Sequence, residues 1–147
     1  MSKVQIPLYD QALKYLNIKL YSYAELKERL LRKGYDSEEV REVLDQLVAE
    51  GLINDRLYAE TFLRNLISYR GFGYYGIRNK LIQKKLDRGL VDQLLKKSVT
   101  SSVEEDLALR FLKKPVNSGR SKESLISALK TKGFRTDAII KVLRELK

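Results

Sequence analysis

The chain has 147 residues, of which 44% are hydrophobic and 33% charged, and its 29 Lys and Arg outnumber its 19 Asp and Glu to give a net charge of +10. Such a chain is long enough to bury one domain's core, yet its charge suits exposed helices better than a thick globule and favours polyanionic partners, nucleic acid ahead of anionic membrane. With no Cys and no His there is no disulfide, no zinc finger and no Ser-His or Cys-His nucleophile pair, a metal would have to be held by carboxylates alone, and no pair of carboxylates falls together on an apolar face, so neither an enzyme nor a cofactor is expected.

No apolar run approaches the roughly 18 residues of a membrane span. The start, Met1-Ser-Lys-Val-Gln-Ile-Pro7, lacks the apolar core of a secretory signal, so no membrane partner and a cytoplasmic location are expected. Pro occurs only at positions 7 and 115, and apolar residues recur at three- and four-residue spacing. That pattern predicts helices almost throughout.

The first three helices are expected at Tyr9 to Leu20, Tyr23 to Lys33 and Ser37 to Glu50. Ser22 and Glu25 have the spacing of a capping box, in which hydroxyl and carboxylate each bond an orphan amide, and Asp36 or Ser37 caps the next helix. A second trio follows: a helix capped by Asn54 and running to Tyr69, then, after a glycine-rich break, Tyr75 to Lys85 and Arg88 to Lys97. The third opens at Ser101 or Ser102, each followed three residues on by Glu104 or Glu105, and its first helix stops before Pro115. Asn117 to Ser121 forms a loop, with Ser121 and Thr136 as caps of the last two helices.

The three trios repeat. Leu26, Leu30, Gly34, Val40 and Leu44 match Leu125, Leu129, Gly133, Ile139 and Leu143 at a constant offset of 99, and Ile77, Leu81, Lys85, Val91 and Leu95 match the first set at an offset of 51. A period near 50 predicts an all-α chain of three tandem three-helix, helix-turn-helix-like repeats at 1–52, 53–98 and 99–147, forming an elongated, curved array. Gly34 and Gly133 stand where a helix ends in the left-handed conformation, a structural role. Lys85 at the equivalent place, followed by Leu86-Asp-Arg-Gly89, predicts a turn built differently.

Charge is uneven across the repeats. Residues 1–63 hold 9 Lys and Arg against 11 Asp and Glu, residues 64–97 hold 9 against 2, and residues 98–147 hold 11 against 6. A phosphate-binding face is therefore sought on Arg70, Arg78, Lys80, Lys84, Lys85 and Arg88, with Arg120, Lys122, Lys130 and Lys132 as extensions. The alternative is that these are solvated helix faces. Against it stand the scarcity of acids in the middle repeat and the interleaved Tyr69, Phe72, Tyr74 and Tyr75, which suit stacking on bases or a partner, Phe72 or Tyr75 being core residues in the other reading.

Gly71-Phe-Gly73-Tyr-Tyr-Gly76 has the spacing of a dinucleotide-binding fingerprint, but that motif requires a preceding strand, and Asn65 to Tyr69 continues a helix. The glycines are expected to make a sharp turn between helices, whose amides with Arg70 and Arg78 would be available to one phosphate.

The chain resembles the RecX regulatory proteins. The resemblance lies in Ser-x-x-Glu-Leu and Leu-x-x-Lys-Gly between Ser22 and Gly34, in Val-Leu-x-x-Leu-x-x-x-Gly-Leu-Ile-Asn-Asp-x-x-Tyr-Ala-x-x-Phe from Val43 to Phe62, in Arg-Gly-x-Gly-x-x-x-Ile-x-x-x-Leu from Arg70 to Leu81, and in the final repeat. The Gly-Leu-Ile-Asn-Asp-x-x-Tyr-Ala join is its most specific part. It implies a negative regulator of the RecA recombinase that lodges in the groove of the RecA filament on single-stranded DNA, blocks extension, promotes disassembly, and inhibits strand exchange, ATP hydrolysis and co-protease activity, without a cofactor. The chain stops at Lys147 directly after the third repeat, so any contribution that relatives draw from further terminal sequence is expected to be missing.

The combined expectation is a monomer whose basic middle repeat approaches RecA-coated single-stranded DNA, and weakly double-stranded DNA, through many small contacts, placing it in DNA repair, recombination and the SOS response. Charge reversal at Lys84 and Arg88 would then weaken inhibition. The competing reading is a sequence-tolerant nucleic-acid-binding protein acting without RecA, and a third is a purely protein-binding helical scaffold.

Overall fold

The computed structural model describes residues 6–69 and 71–145, and among these every regular element is helical. The α-helices are α1 (Leu8–Ile18), α2 (Tyr23–Arg32), α3 (Ser37–Ala49), α4 (Asp55–Tyr69), α5 (Tyr74–Gln83), α6 (Arg88–Ser98), α7 (Ser101–Leu112), α8 (Lys122–Thr131) and α9 (Thr136–Glu145), with a short 3-10 turn at Pro115–Asn117. The chain is a helical repeat array. It divides into two units, Met1–Ala59 with Lys84–Leu86, and Glu60–Gln83 with Asp87–Lys147.

In the first unit α1 packs on α2 and α3, which pack on each other. Ala12, Leu26, Leu30, Val40, Leu44 and Leu47 are wholly buried at the centre, the three- and four-residue stripes predicted from the sequence. Ser22 and Glu25 make both halves of the capping box, and Asp36 accepts from the Glu38 and Glu39 amides. Asn54 likewise accepts from the Leu57 amide. The helix ends predicted at Leu20 and Glu50 lie two and one residues shorter, because Lys19 is already extended and Glu50 is the C-cap.

In the second unit α5 packs on α6, and α7 and α8 pack on α9. Ile77, Leu81, Val91, Leu95, Ala108, Leu129 and Val142 form its buried stripes. Two sequence expectations are corrected here. The cap of α7 is Thr100, whose hydroxyl accepts from the Val103 amide, and Ser101 and Ser102 lie inside the helix. Thr136 is the first helical residue of α9 rather than its cap, since the Ile139 amide bonds to the Arg135 carbonyl. Ser121 does cap α8, through the Ser124 amide.

The turn after α5 is also corrected. Gly34 and Gly133 have φ of 104° and 85°, and Lys85 has φ of 60°, the one positive φ among the described non-glycine residues. The second trio thus keeps the left-handed turn and bears the Cβ penalty that glycine avoids. In each case an apolar side chain follows, Tyr35, Leu86 or Phe134, and turns back onto the core.

Candidate functional site

A recurring junction positions the candidate residues. The start of the second helix of one trio lies against the turn residues that follow the second helix of the next, so that unpaired amides and hydroxyls meet unpaired carbonyls. In the first unit, buried Ser22 donates its hydroxyl to the Lys84 carbonyl at 3.1 Å, and the Tyr23 amide donates to Asp55 Oδ1 at 2.8 Å. In the second unit, 51 residues on, the Gly73 amide donates to the Lys132 carbonyl at 3.0 Å and the Tyr74 amide to Glu104 Oε2 at 2.8 Å. The Tyr75 amide adds a bond to the Gly133 carbonyl at 2.9 Å.

This corrects the expectation for the glycine-rich segment. The amides of Gly73, Tyr74 and Tyr75 at the start of α5 are spent on protein acceptors, not held for phosphate. Glycine is needed for another reason: a Cβ on Gly73 would overlap Phe134, one on Gly76 the Lys132 carbonyl, and one on Gly133 the Gly76 backbone. Two chain segments touch there at backbone distance.

Glu104, read from the sequence as a capping partner, is the buried centre of this junction. Only 1% of its side chain is exposed, and it accepts from the Tyr74 and Arg135 amides and from Arg135 Nε at 2.7 Å. A carboxylate buried so deeply is tolerable because both oxygens are bonded and a guanidinium neutralises it. Sequence reasoning missed Arg135. The signal was the register itself, because Tyr74 aligns with Tyr23, whose amide needs the same kind of carboxylate partner.

The predicted cations divide by what they touch. Arg78 Nε donates to Asp92 Oδ1 at 2.7 Å, which raises the guanidinium's pKa and, through the same hydrogen bond, holds the Asp92 carboxyl below its usual value. The Lys80 and Lys132 ammoniums lie 5.2 and 5.3 Å from the centroid of half-buried Phe72, a cation–π cluster at the C-terminal turn of α8. Tyr74 lies beneath the Arg135 guanidinium at 4.1 Å and makes a T-shaped contact with Tyr75. Tyr75 is 54% exposed, so it is not the core residue of the alternative reading.

In the first unit, Lys84 Nζ lies 3.9 Å from Glu25 and Lys85 Nζ 2.7 Å from Glu28. The Lys85 hydrogen bond lowers the Glu28 pKa. Tyr58, buried beside Glu25, has its pKa raised by burial first and by that carboxylate second. Arg88 is exposed at the first turn of α6. Arg120 folds back on Asn117 and Ser124, at 2.9 and 2.8 Å. Lys122 and Lys130 stand exposed on α8. The Tyr69 side chain and all of Arg70 lie outside the described residues.

Among the described residues no cluster of three carboxylates is placed to hold a metal, and no helix is long and apolar enough to cross a membrane.

Two family models match the chain, the first three-helix domain of RecX over residues 9–47 and the second over residues 54–95. The chain belongs to the RecX family. Among similar proteins are regulatory protein RecX of Lactococcus lactis subsp. lactis, 30% identical over 145 residues, covering 88% of this chain and 54% of the relative, and that of Pseudomonas entomophila, 33% identical over 122 residues, covering 81% and 78%. The chain therefore spans about half the length of the Lactococcus relatives, though more of others. The crystal structure of RecX from Lactobacillus salivarius superposes with a TM-score of 0.86 at 26% identity, covering 95% of this chain and 94% of that one. Its match extends the family architecture across all three trios.

Proposed function

We propose that this chain is a negative regulator of RecA that binds in the groove of the RecA filament on single-stranded DNA, blocks its extension and inhibits recombinase, ATPase and co-protease activities. The observation that carries this reading is the pair of RecX domains at 9–47 and 54–95. It acts in the cytoplasm as a monomer without a cofactor, in DNA repair, recombination and the SOS response. The repeats divide at 52/53 and 98/99, and contact with filament and DNA is shared among them.

The geometry supports a basic contact surface and refines which side chains test it. Arg88 and Lys80 belong to the second unit, and among the described residues neither makes an ion pair like that of Arg78 with Asp92. Reversing Lys84 would instead set a carboxylate against Glu25 and damage the junction. The decisive measurement is RecA ATP hydrolysis on single-stranded DNA with increasing amounts of the protein. Inhibition near stoichiometry is expected, and its absence sinks the assignment.

In the same assay the double variant Arg88→Glu, Lys80→Glu should inhibit roughly three- to tenfold less well at low salt while keeping its helical circular dichroism. Equal inhibition by variant and parent removes the basic-surface part. Salt-titrated binding to bare and RecA-coated DNA separates this reading from a nucleic-acid-binding protein acting alone: preference for the coated strand favours the regulator, and equal affinity the alternative.

A further inference from the structure

Four apolar positions recur in each trio, and their burial differs. Leu26, Leu30, Val40 and Leu44 are wholly buried, as are Ile77, Leu81, Val91 and Leu95. In the third trio Leu129 and Ile139 are buried, but Leu125 and Leu143 are only half-buried. They line an open cleft of about 740 Å³ between α8 and α9. Whereas α1 packs on both α2 and α3 and sets Leu8, Tyr9, Leu13 and Leu16 against the core of the first unit, α7 packs chiefly along α9.

The cleft is chemically two-toned. Its floor adds Ile126 and Ile140, the latter 45% exposed, to the two leucines. Its rim is Arg120, Lys122, Lys130 and Arg144, and among the described residues no carboxylate lines it. We propose that this cleft docks an acidic amphipathic helix of a partner protein. Aliphatic side chains at i, i+3, i+4 and i+7 of the partner take the place that α1 fills in the first unit, and flanking carboxylates meet the rim cations.

Charge and shape favour this occupant over others. Single-stranded nucleic acid would neutralise the rim, but among the described residues no aromatic ring lines the cleft for bases to stack on, and the aliphatic floor would stay wet. A second copy of the chain would bring a net charge of +10 toward a rim already positive.

The test uses the full chain and a fluorescein-labelled helical peptide with leucines at i, i+3, i+4 and i+7 and glutamates elsewhere, a counterpart with lysines for the glutamates, and a labelled single-stranded oligonucleotide. Fluorescence anisotropy should show the acidic peptide binding about tenfold or more tighter than the lysine counterpart. Its affinity should fall about tenfold in Lys122→Glu, Lys130→Glu, whose sites are exposed, and by a similar factor in Leu143→Ala. Circular dichroism checks that each variant is folded, and the rim variant alone decides if Leu143→Ala is not. Absence of acidic-peptide binding at about 100 μM, or undiminished affinity in the rim variant, overturns the proposal. So does displacement of the peptide by the oligonucleotide together with loss of oligonucleotide binding in that variant, which would assign the cleft to nucleic acid.

Discussion

The two helix-start junctions perform the same task with different chemistry. In the first unit a side-chain cap, Ser22, reaches the Lys84 carbonyl, Asp55 takes the Tyr23 amide, and the left-handed turn is made by a lysine. In the second, the Gly73 backbone itself bonds the Lys132 carbonyl, Gly76 and Gly133 press together, and the Glu104 carboxylate is buried and paired with Arg135. A hydroxyl spacer tolerates variation, whereas backbone-to-backbone contact and a desolvated ion pair do not. The second junction should therefore be the brittle one.

The sharpest way to break the comparison is a single methyl group. Gly73→Ala or Gly133→Ala forces a Cβ into backbone atoms, and at Gly133 adds strain at φ of 85°. Each should cost about 3 kcal/mol or more. Ser22→Ala in the first unit removes a cap and one donor for about 1–2 kcal/mol. Urea unfolding followed by far-ultraviolet circular dichroism measures both, and equal losses would erase the distinction. Next in size is the carboxylate pair. Glu104→Gln should cost about 2–4 kcal/mol, because with its oxygen on the Tyr74 and Arg135 amides the NH2 group is set donor to donor against Arg135 Nε, and the guanidinium loses its counter-charge. Asp55→Asn, whose oxygen still accepts from Tyr23, should cost about 1 kcal/mol or less.

Much of this fold was legible in the sequence because helices announce themselves locally. The stripe of Leu26, Leu30, Val40 and Leu44, the Ser22–Glu25 box and the Pro115 stop need only spacing and residue chemistry. The junctions were not legible, since Glu104 meets Tyr74 across 30 residues and Arg135 across 31. Local rules also misassigned Ser101 and Ser102, as either hydroxyl looks as good a cap as that of Thr100. The basic count singled out cations but not what they touch: nothing in the spacing of Arg78 and Asp92 says that a turn between α5 and α6 brings them to 2.7 Å. For the third trio, identical repeat letters hid a difference in cover, because burial depends on where α7 lies.

A gain of stability is expected at Lys85. Glycine there relieves the left-handed backbone, and Lys85→Gly should stabilise the first unit by about 0.5–1 kcal/mol. The variant also loses the Lys85–Glu28 ion pair, which is exposed and contributes little. Repeating the change in a Glu28→Gln background isolates the backbone effect, which should be the larger of the two gains. A loss in both backgrounds would mean that the lysine stem packs in a way that outweighs the strain.

The smallest effect is electrostatic, and it bears on function. Asp92 titrates below its ordinary 3.8 because Arg78 hydrogen-bonds its ionised form. A depressed folded-state pKa stabilises the protein above the unfolded value, and that contribution disappears as pH falls through the folded one. Carboxyl carbon chemical shifts should therefore show an Asp92 midpoint under 3.8 that rises in Arg78→Gln. If filament-bound DNA or free oligonucleotide recruits Arg78, phosphate must compete with Asp92 for the same guanidinium, and the midpoint should move up toward its ordinary value when the polyanion is added. A midpoint unmoved by saturating polyanion would make Arg78 a fastening of α5 to α6 and leave recognition to Arg88 and the lysines around Phe72.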